Sequence, residues 1–429
     1  MTSTLSTTYK FLFAALCVSL SLVSAKADVF AYVPNISTKY LEIYNTTLNL
    51  YVDSVKLLGS PRNVQVNHDG SLVFVSTVAS DSSGASQSYL HTINTVTYEK
   101  SQPQVIPLDG KNVRGLVISN DDRNLYIVHE DGVTLVNNPG SSNNMSELDL
   151  TYSGLNLTLS DDNDYLFVIG TNGGSDGVSV VELATFTEIT SLDLGINKGA
   201  NEIVFSKEHF KLFVANSISD EVVPIQINNY SDPENLSLEA ESALSLATGA
   251  NPVDLKLHNN GTELIVVLSY IATDQSGPTG QGSIIIVKTD DITVANTDLV
   301  NIVGMDAEGS MGGNAGGIIH PLAINIDDNN NIYLLKQIWS DVTGIYVVKL
   351  KDSTDFTGKR TIEKQSSYNL GNKVSTLANG QFIGPDCEDC PDGADSIFDP
   401  VERPAAFNPF SLLIMAIFIY LLRRRFVNR

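Results

Sequence analysis

The sequence predicts an all-β protein assembled from repeated four-stranded sheets. Three observations carry that prediction. A short phrase recurs six times: an acidic or amide turn, then, five positions after its first residue, an aromatic or aliphatic residue inside a hydrophobic run. The copies are Asp69-Gly70 to Phe74, Asp121-Asp122 to Tyr126, Asp162-Asn163 to Phe167, Glu208-His209 to Phe213, Asn260-Gly261 to Ile265 and Asp328-Asn329 to Tyr333. Their spacing of 41 to 68 residues belongs to arrays of one supersecondary unit. Between the copies, short runs of apolar or alternating residues are separated by turn signals, and no helical period intervenes before Phe410.

The fourth unit shows the pattern. Gly177–Glu182 alternates small and apolar residues, Thr185–Leu194 continues as a second strand, Ile203–Phe205 is a short apolar strand, and Lys211–Asn216 follows a charged turn. One such sheet cannot bury both faces, whereas sheets packed radially can. The architecture expected is therefore a β-propeller. Val29–Asn35 has the pattern of Lys211–Asn216 with no unit before it, and Gly344–Leu350 opens a unit that lacks this strand. The expectation is that the N-terminal strand completes the last sheet, removing an open edge. This gives seven blades, with six and eight as the alternatives.

Several of these segments resemble the bacterial YVTN β-propeller proteins: Tyr32-Val33-Pro34-Asn35, Phe213-Val214-Ala215-Asn216, Gly59-Ser60-Pro61, Gly249-Ala250-Asn251-Pro252 and the Asp69-Gly70 turn. The resemblance spans roughly residues 28–350. It implies the propeller fold and leaves function open, since members do different things. The second, third and fourth copies lack the proline of the Gly-x-Pro loop. Some propellers similar to this family are lactonases with a metal at the axis. The resemblance would make His320, Asp254, Glu202 and Asn201 the ligands of such a metal.

Composition sets further bounds. The chain has 429 residues and a formal net charge of −23. A surface so acidic repels nucleic-acid backbones and anionic lipid. Residues 1–27 read as a secretory signal: Lys10, the apolar run Phe11–Val23, then Ser24-Ala25-Lys26-Ala27, with cleavage expected after Ala27. A lipid anchor at Cys17 is disfavoured by Leu16 before it. At the other end Phe410–Leu422, 13 residues and apolar except for Ser411, precedes Arg423-Arg424-Arg425. Such a run is short of the ~20 residues of a comfortable membrane span, but its basic flank predicts an anchor with the arginines cytoplasmic. This tail also resembles the C-terminal sorting signals of Gram-negative proteins, which implies an inner-membrane sorting protease as a partner. The expected organisation is signal 1–27, propeller 28–365, linker 366–407 and tail 408–429, exported to the cell envelope.

Counting back from each turn places polar residues where innermost strands begin: Arg62 and Asn63, Arg114, Asn156, Asn201 and Glu202, and Asp254, with His320 before Pro321 in the sixth unit. Converging on the axis, these could form a ligand site at the channel mouth, or they could line a wet channel. Gly304–Gly317 is a glycine-rich insertion beside this mouth, and Asp274–Gly282 is a second loop of the same kind. Cys387 and Cys390 form a CxxC with no further metal ligands nearby, so a linker disulfide is the reading for an exported chain. Asp327–Asn331 falls on the repeat turn and lacks the glycine and terminal glutamate of a calcium loop. No motif names a cofactor, and no nucleophile elbow or zinc-protease signature is present. The functional expectation is a membrane-tethered scaffold recognising a protein or saccharide. The alternatives are a lactonase-like, metal-dependent hydrolase and a structural surface-layer component.

Overall fold

The computed structural model describes residues 29–371 with interruptions at 37, 49, 81–85, 96–103, 109–110, 140–143, 259–260, 269–282, 293–296, 302–318, 327–330, 339–341 and 355–359, together with Ile383. The described strands form seven antiparallel sheets in chain order. The first holds β1 (Phe30–Asn35), β2 (Tyr40–Asn45) and β3 (Leu50–Lys56). The second holds β4 (Ser60–Val66), β5 (Leu72–Ser80), β6 (Ser86–Asn94) and β7 (Gln104–Pro107). The third is β8 (Val113–Ile118), β9 (Asn124–His129), β10 (Gly132–Asn137) and β11 (Asn144–Asp149). The fourth is β12 (Ser153–Leu159), β13 (Tyr165–Asn172), β14 (Ser175–Glu182) and β15 (Thr187–Ile196). The fifth is β16 (Ala200–Ser206), β17 (Lys211–Asn216), β18 (Glu221–Asn228) and β19 (Ser237–Ala240), with the short β20 (Leu244–Ser245) also on β18. The sixth is β21 (Pro252–His258), β22 (Glu263–Leu268), β23 (Ser283–Lys288) and β24 (Thr297–Asn301). The seventh is β25 (Ile319–Ile326), β26 (Ile332–Ile338), β27 (Val342–Thr354) and β28 (Arg360–Gly371).

From the second sheet to the seventh, the first strands of successive sheets lie against one another, while outer strands such as β11 and β19 are largely exposed. This is the radial arrangement of a propeller, and it explains why the second strands are apolar without alternation. Their side chains point alternately to two neighbouring sheets, and both faces are buried. In β17, Leu212 and Val214 pack with the fourth sheet, while Phe213 and Ala215 pack with the sixth. In β9, Leu125 and Ile127 face the second sheet, and Tyr126 and Val128 face the fourth.

The recurring phrase acquires a role here. Phe74, Tyr126, Phe167, Phe213 and Ile265 each sit in the second strand of a sheet, buried, and pack into the sheet that follows. The turn before each contains a residue in the left-handed region: Gly70 (φ 71°), Asp122 (58°), Asn163 (59°), Phe210 (48°) and Gly261 (85°). Gly, Asn and Asp suit that conformation. The turn acid is held locally: Ser119 Oγ donates to Asp121 at 2.7 Å, and Ser160 Oγ donates to Asp162 at 2.6 Å.

Two expectations are corrected. Val29–Asn35 does not join the last sheet: β1 pairs with β2 in its own three-stranded sheet, and the last sheet has four strands from its own segment. The physical reason is local. The last sheet takes all four of its strands from one stretch, Ile319–Gly371, and so has no open place for β1. The linker expected from Ser366 also starts later, because β28 runs to Gly371. The segments 1–27 and 408–429 lie outside the described residues. Among those described, no helix is long and apolar enough to cross a membrane.

Truncating a residue that wedges one sheet into the next removes a fully buried ring. Phe213→Ala should cost about 3–5 kcal/mol, read as a lower urea midpoint of the full chain. Ile196→Ser, at a side chain 74 % exposed, should leave that midpoint unchanged.

Candidate functional site

The candidate residues lie on the first strands of the sheets, and a repeated irregularity positions them. In β4, β8, β12, β16, β21 and β25 the pairing with the second strand skips one residue near the start: between Pro61 and Asn63, Val113 and Gly115, Gly154 and Asn156, Ala200 and Glu202, Pro252 and Asp254, and Pro321 and Ala323. Each is a β-bulge, which twists the strand and re-aims the residue after it. That residue is Asn63, Gly115, Asn156, Glu202, Asp254 or Ala323.

The re-aimed side chains reach the neighbouring strand. Asn63 Nδ2 donates to the Arg114 carbonyl at 2.7 Å. Asn156 Nδ2 donates to the Asn201 carbonyl at 3.2 Å and to Glu202 Oε2 at 2.8 Å. Asn201, the residue skipped by the bulge of β16, also reaches across: its Nδ2 donates to the Pro252 carbonyl at 2.9 Å. Asp254 Oδ2 accepts from the Ile324 N–H at 2.7 Å. Gly115 takes the corresponding place in the third sheet. A Cβ there would lie 2.7 Å from Leu157 and 3.1 Å from Asn156 Oδ1, so a side chain would collide with the next link.

A second set of links joins sheets at the far ends of these strands. Asp122 accepts from the N–H groups of His68 at 2.9 Å and Asp69 at 3.2 Å, and Asn163 Oδ1 accepts from the N–H of Asn120 at 2.9 Å. The loops entering the first strands are fixed as well. Asp220 accepts from the N–H groups of Gly249 at 2.6 Å and Asn251 at 2.7 Å, and Asp176 accepts from Gly199 at 2.7 Å. In the Gly-Ser-Pro loop, Gly59 has φ 93°, and a Cβ there would stand 2.4 Å from the Val78 carbonyl oxygen.

The structure therefore brings together Asn156, Asn201, Glu202 and Asp254, and adds Lys256. Lys256 Nζ lies 3.4 Å from Asp254 Oδ1 and 3.9 Å from Glu202 Oε1. Both carboxylates are buried, while the lysine side chain keeps 26 % of its exposure. Burial pushes the Glu202 carboxyl up to about 8, against the pull of the Lys256 ammonium, and Asp254 adds to the rise. Burial also raises Asp254, opposed by Lys256 and the Ile324 N–H. Burial alone would lower Lys256, but its two acidic neighbours outweigh that and raise it. Lys256 was not among the residues counted back from the turns. Its signal was the Asp-Leu-Lys alternation, which puts Asp254 and Lys256 on one face of β21.

Of the other candidates, Asn63 serves the Arg114 carbonyl. Arg62 is the bulged residue of β4 and is exposed. Arg114 lies 3.8 Å from Glu130 in a solvent-accessible pair. His320 is in β25, in register with Gln337, and its side chain lies outside the described residues. Residues 304–317, 274–282, Cys387 and Cys390 lie outside them too. Among the described residues, no three His, Cys, Asp or Glu side chains gather into a metal-ligating group.

No family model matches the chain, and no curated protein matches its sequence. Solved structures do match its fold. One is a protein of unknown function from Desulfotomaculum acetoxidans, at 14 % identity and TM-score 0.53, covering 84 % of this chain and 100 % of the other. Another, from Bacteroides uniformis, is provisionally assigned as a 6-phosphogluconolactonase. It matches at 15 % identity and TM-score 0.53, covering 81 % and 98 %. A Lactobacillus plantarum protein matches at 14 % identity and TM-score 0.52, covering 81 % and 98 %. At such identities the likeness establishes the fold alone: the described residues form an all-β fold of the propeller type.

Two measurements check this site. Asn156→Ala leaves the Asn201 carbonyl and Glu202 Oε2 without that donor, and should cost about 1–3 kcal/mol in urea unfolding of the full chain. Glu202 has a folded pKa above its ordinary value of 4.5. Its bound proton therefore contributes stability that is complete below pH 4.5 and lost as pH rises through about 8. Stability of the wild-type chain should fall relative to Glu202→Gln across that window, so the difference between the two midpoints should change with pH.

Proposed function

We propose that this chain is an exported, membrane-tethered propeller of seven blades that acts as a recognition scaffold at the cell envelope. What supports this reading is that the polar residues of the first strands are engaged in links between sheets. Asn63, Asn156, Asn201 and Asp254 each hold a backbone group of the next strand. Side chains engaged in this way build the scaffold, which leaves recognition to the rim.

The rim offers a surface of suitable chemistry. Leu58 stands before β4, Ile196 before β16, and Ile218 between β17 and β18, and they are 49 %, 74 % and 69 % exposed. The loops before the first strands and those between second and third strands lie at one end of their sheets. The Ile218 N–H donates to the Lys198 carbonyl at 3.1 Å, which draws these two loops together. Exposed apolar side chains on a fixed loop framework suit a protein or saccharide partner. The apolar run Phe410–Leu422 with its arginines, and the leader before Val29, support the envelope location.

The second reading is a lactonase-like hydrolase with a metal at the axis. It is favoured by the proximity of Glu202 and Asp254 and by the fold shared with a provisionally assigned lactonase. The donor set fits a metal poorly. Asp254 Oδ2 and Glu202 Oε2 already accept hydrogen bonds, and an ammonium stands beside their other oxygens. Metal analysis of the full chain, together with a lactone panel, separates the two readings. A metal-free, inert protein that binds a saccharide array or an envelope protein, and loses binding on Ile196→Asp with Ile218→Asp, supports the scaffold. Stoichiometric metal that disappears in Asp254→Ala, with lactone hydrolysis, overturns it.

A further inference from the structure

The loop 57–59 joins the first sheet to the second, and a buried histidine holds it. His91 of β6 is 1 % exposed and stands opposite Val75 of β5 and Val105 of β7. Its Nε2 lies 3.1 Å from Thr77 Oγ1. The Thr77 hydroxyl has a single proton, which it donates to the Leu58 carbonyl at 2.5 Å. Nε2 therefore carries the ring proton and donates to Thr77, the tautomer that the network requires. Donors run from His91 through Thr77 to Leu58, so the ring fixes the loop through one hydroxyl. The same loop is tied to the first sheet by the Leu57 N–H, which donates to the Lys39 carbonyl at 2.9 Å.

The other ring nitrogen is left over. Among the described residues, Nδ1 is buried and has no hydrogen-bond partner. A proton added there would make a buried N–H without an acceptor, on a ring that has become charged. Nothing nearby balances that charge. β5, β6, β7 and the loop carry no charged residue, and β4 carries only the cation Arg62. The charged side chains of the first sheet, Lys39, Glu42, Asp53 and Lys56, do not act on the ring. Burial holds it down from 6.5 to about 4, opposed only by the Leu58 carbonyl. His129 shows the contrast. It is also buried, and burial and Lys111 lower it, but its Nδ1 accepts from the Asp131 N–H at 3.2 Å, and Asp131, Glu147 and Glu130 favour its charged form.

We propose that His91 is an acid-sensitive latch: when Nδ1 takes a proton from solvent, the ring turns out to water, the Thr77 link to Leu58 is lost, and the loop between the first two sheets is released. The sign follows from the ring being neutral when buried. Its contribution to the closed state is complete above pH 6.5 and is lost as pH falls through about 4. Glu202 acts in the opposite sense, since its contribution is lost as pH rises. Release moves Leu58, a side chain 49 % exposed, out of its fixed place on the rim. The latch itself is independent of what the rim binds.

Amide exchange of the full chain, corrected for the intrinsic rate at each pH, tests this. An open state whose ring titrates at 6.5 and a closed state whose ring titrates near 4 give about 20-fold more opening at pH 5 than at pH 7. Protection over residues 57–66 should fall by that factor, while β17 loses none. His91→Gln cannot take the proton and should abolish the pH response. Thr77→Val keeps the ring and cuts the link, so it should lower protection of residues 57–66 already at pH 7. Equal protection of the wild-type loop at both pH values, or a loss of the same size in β17, would overturn the latch. So would a Thr77→Val chain whose loop is as protected as the wild type.

Discussion

The fold depends on how the first strand of each sheet satisfies its second edge. One edge of such a strand pairs with the second strand. The other faces the next sheet at close range, where its N–H and C=O groups have neither a ladder nor full access to water. The bulge near the start of these strands answers this. It turns one side chain out of register, and in Asn63, Asn156 and Asp254 that side chain serves a backbone group of the following strand. The residue types follow from the task. An amide can donate to a carbonyl, a carboxylate can accept from an N–H, and at Gly115 a side chain would press on Leu157 and Val128.

Apolar packing supplies the bulk of the cohesion, but it does not set the angle between sheets. A second strand buried on both faces is held by packing, but packing of similar apolar side chains does not by itself distinguish one sheet from another. Links at two heights make that distinction. Near the start of the first strands the amides and carboxylates bind neighbouring backbone, and at their ends turn residues such as Asp122 and Asn163 accept from the preceding turn. The left-handed conformation of those turn residues aims the side chain across the gap, so one residue shapes the turn and joins the sheets.

Much of this was legible in the sequence because the repeat is physical. The landing residues from Phe74 to Tyr333 were readable as strand positions, and Lys211–Asn216 matches β17. Counting back from the turns found Asn63, Asn156, Glu202 and Asp254. It could not reveal that they serve backbone groups, since a bulge leaves no mark in the residue pattern. The count missed Lys256 because it stopped at the strand's start. The pairing of β1 was misjudged for a related reason. Its second-strand character was evident, but nothing in the residue pattern marked Ile319–Gly371 as supplying four strands of its own, so the last unit seemed to be the incomplete one.

The axial acids show how such a scaffold tolerates charge. Two carboxyls brought near each other in a buried setting cannot both ionise without compensation. Lys256 offsets part of the repulsion, while burial and Asp254 raise the Glu202 carboxyl and favour its neutral form. An ion pair of this kind is weak as a source of stability, because desolvation offsets most of its attraction. Its value lies in geometry. Asn156, Glu202, Lys256, Asp254 and the Ile324 N–H form a continuous line of contacts across four successive sheets, and each member fixes the next. Apolar replacements could fill the same volume, but they could not specify which strand faces which, and a ring of similar sheets needs that specification to assemble in one order.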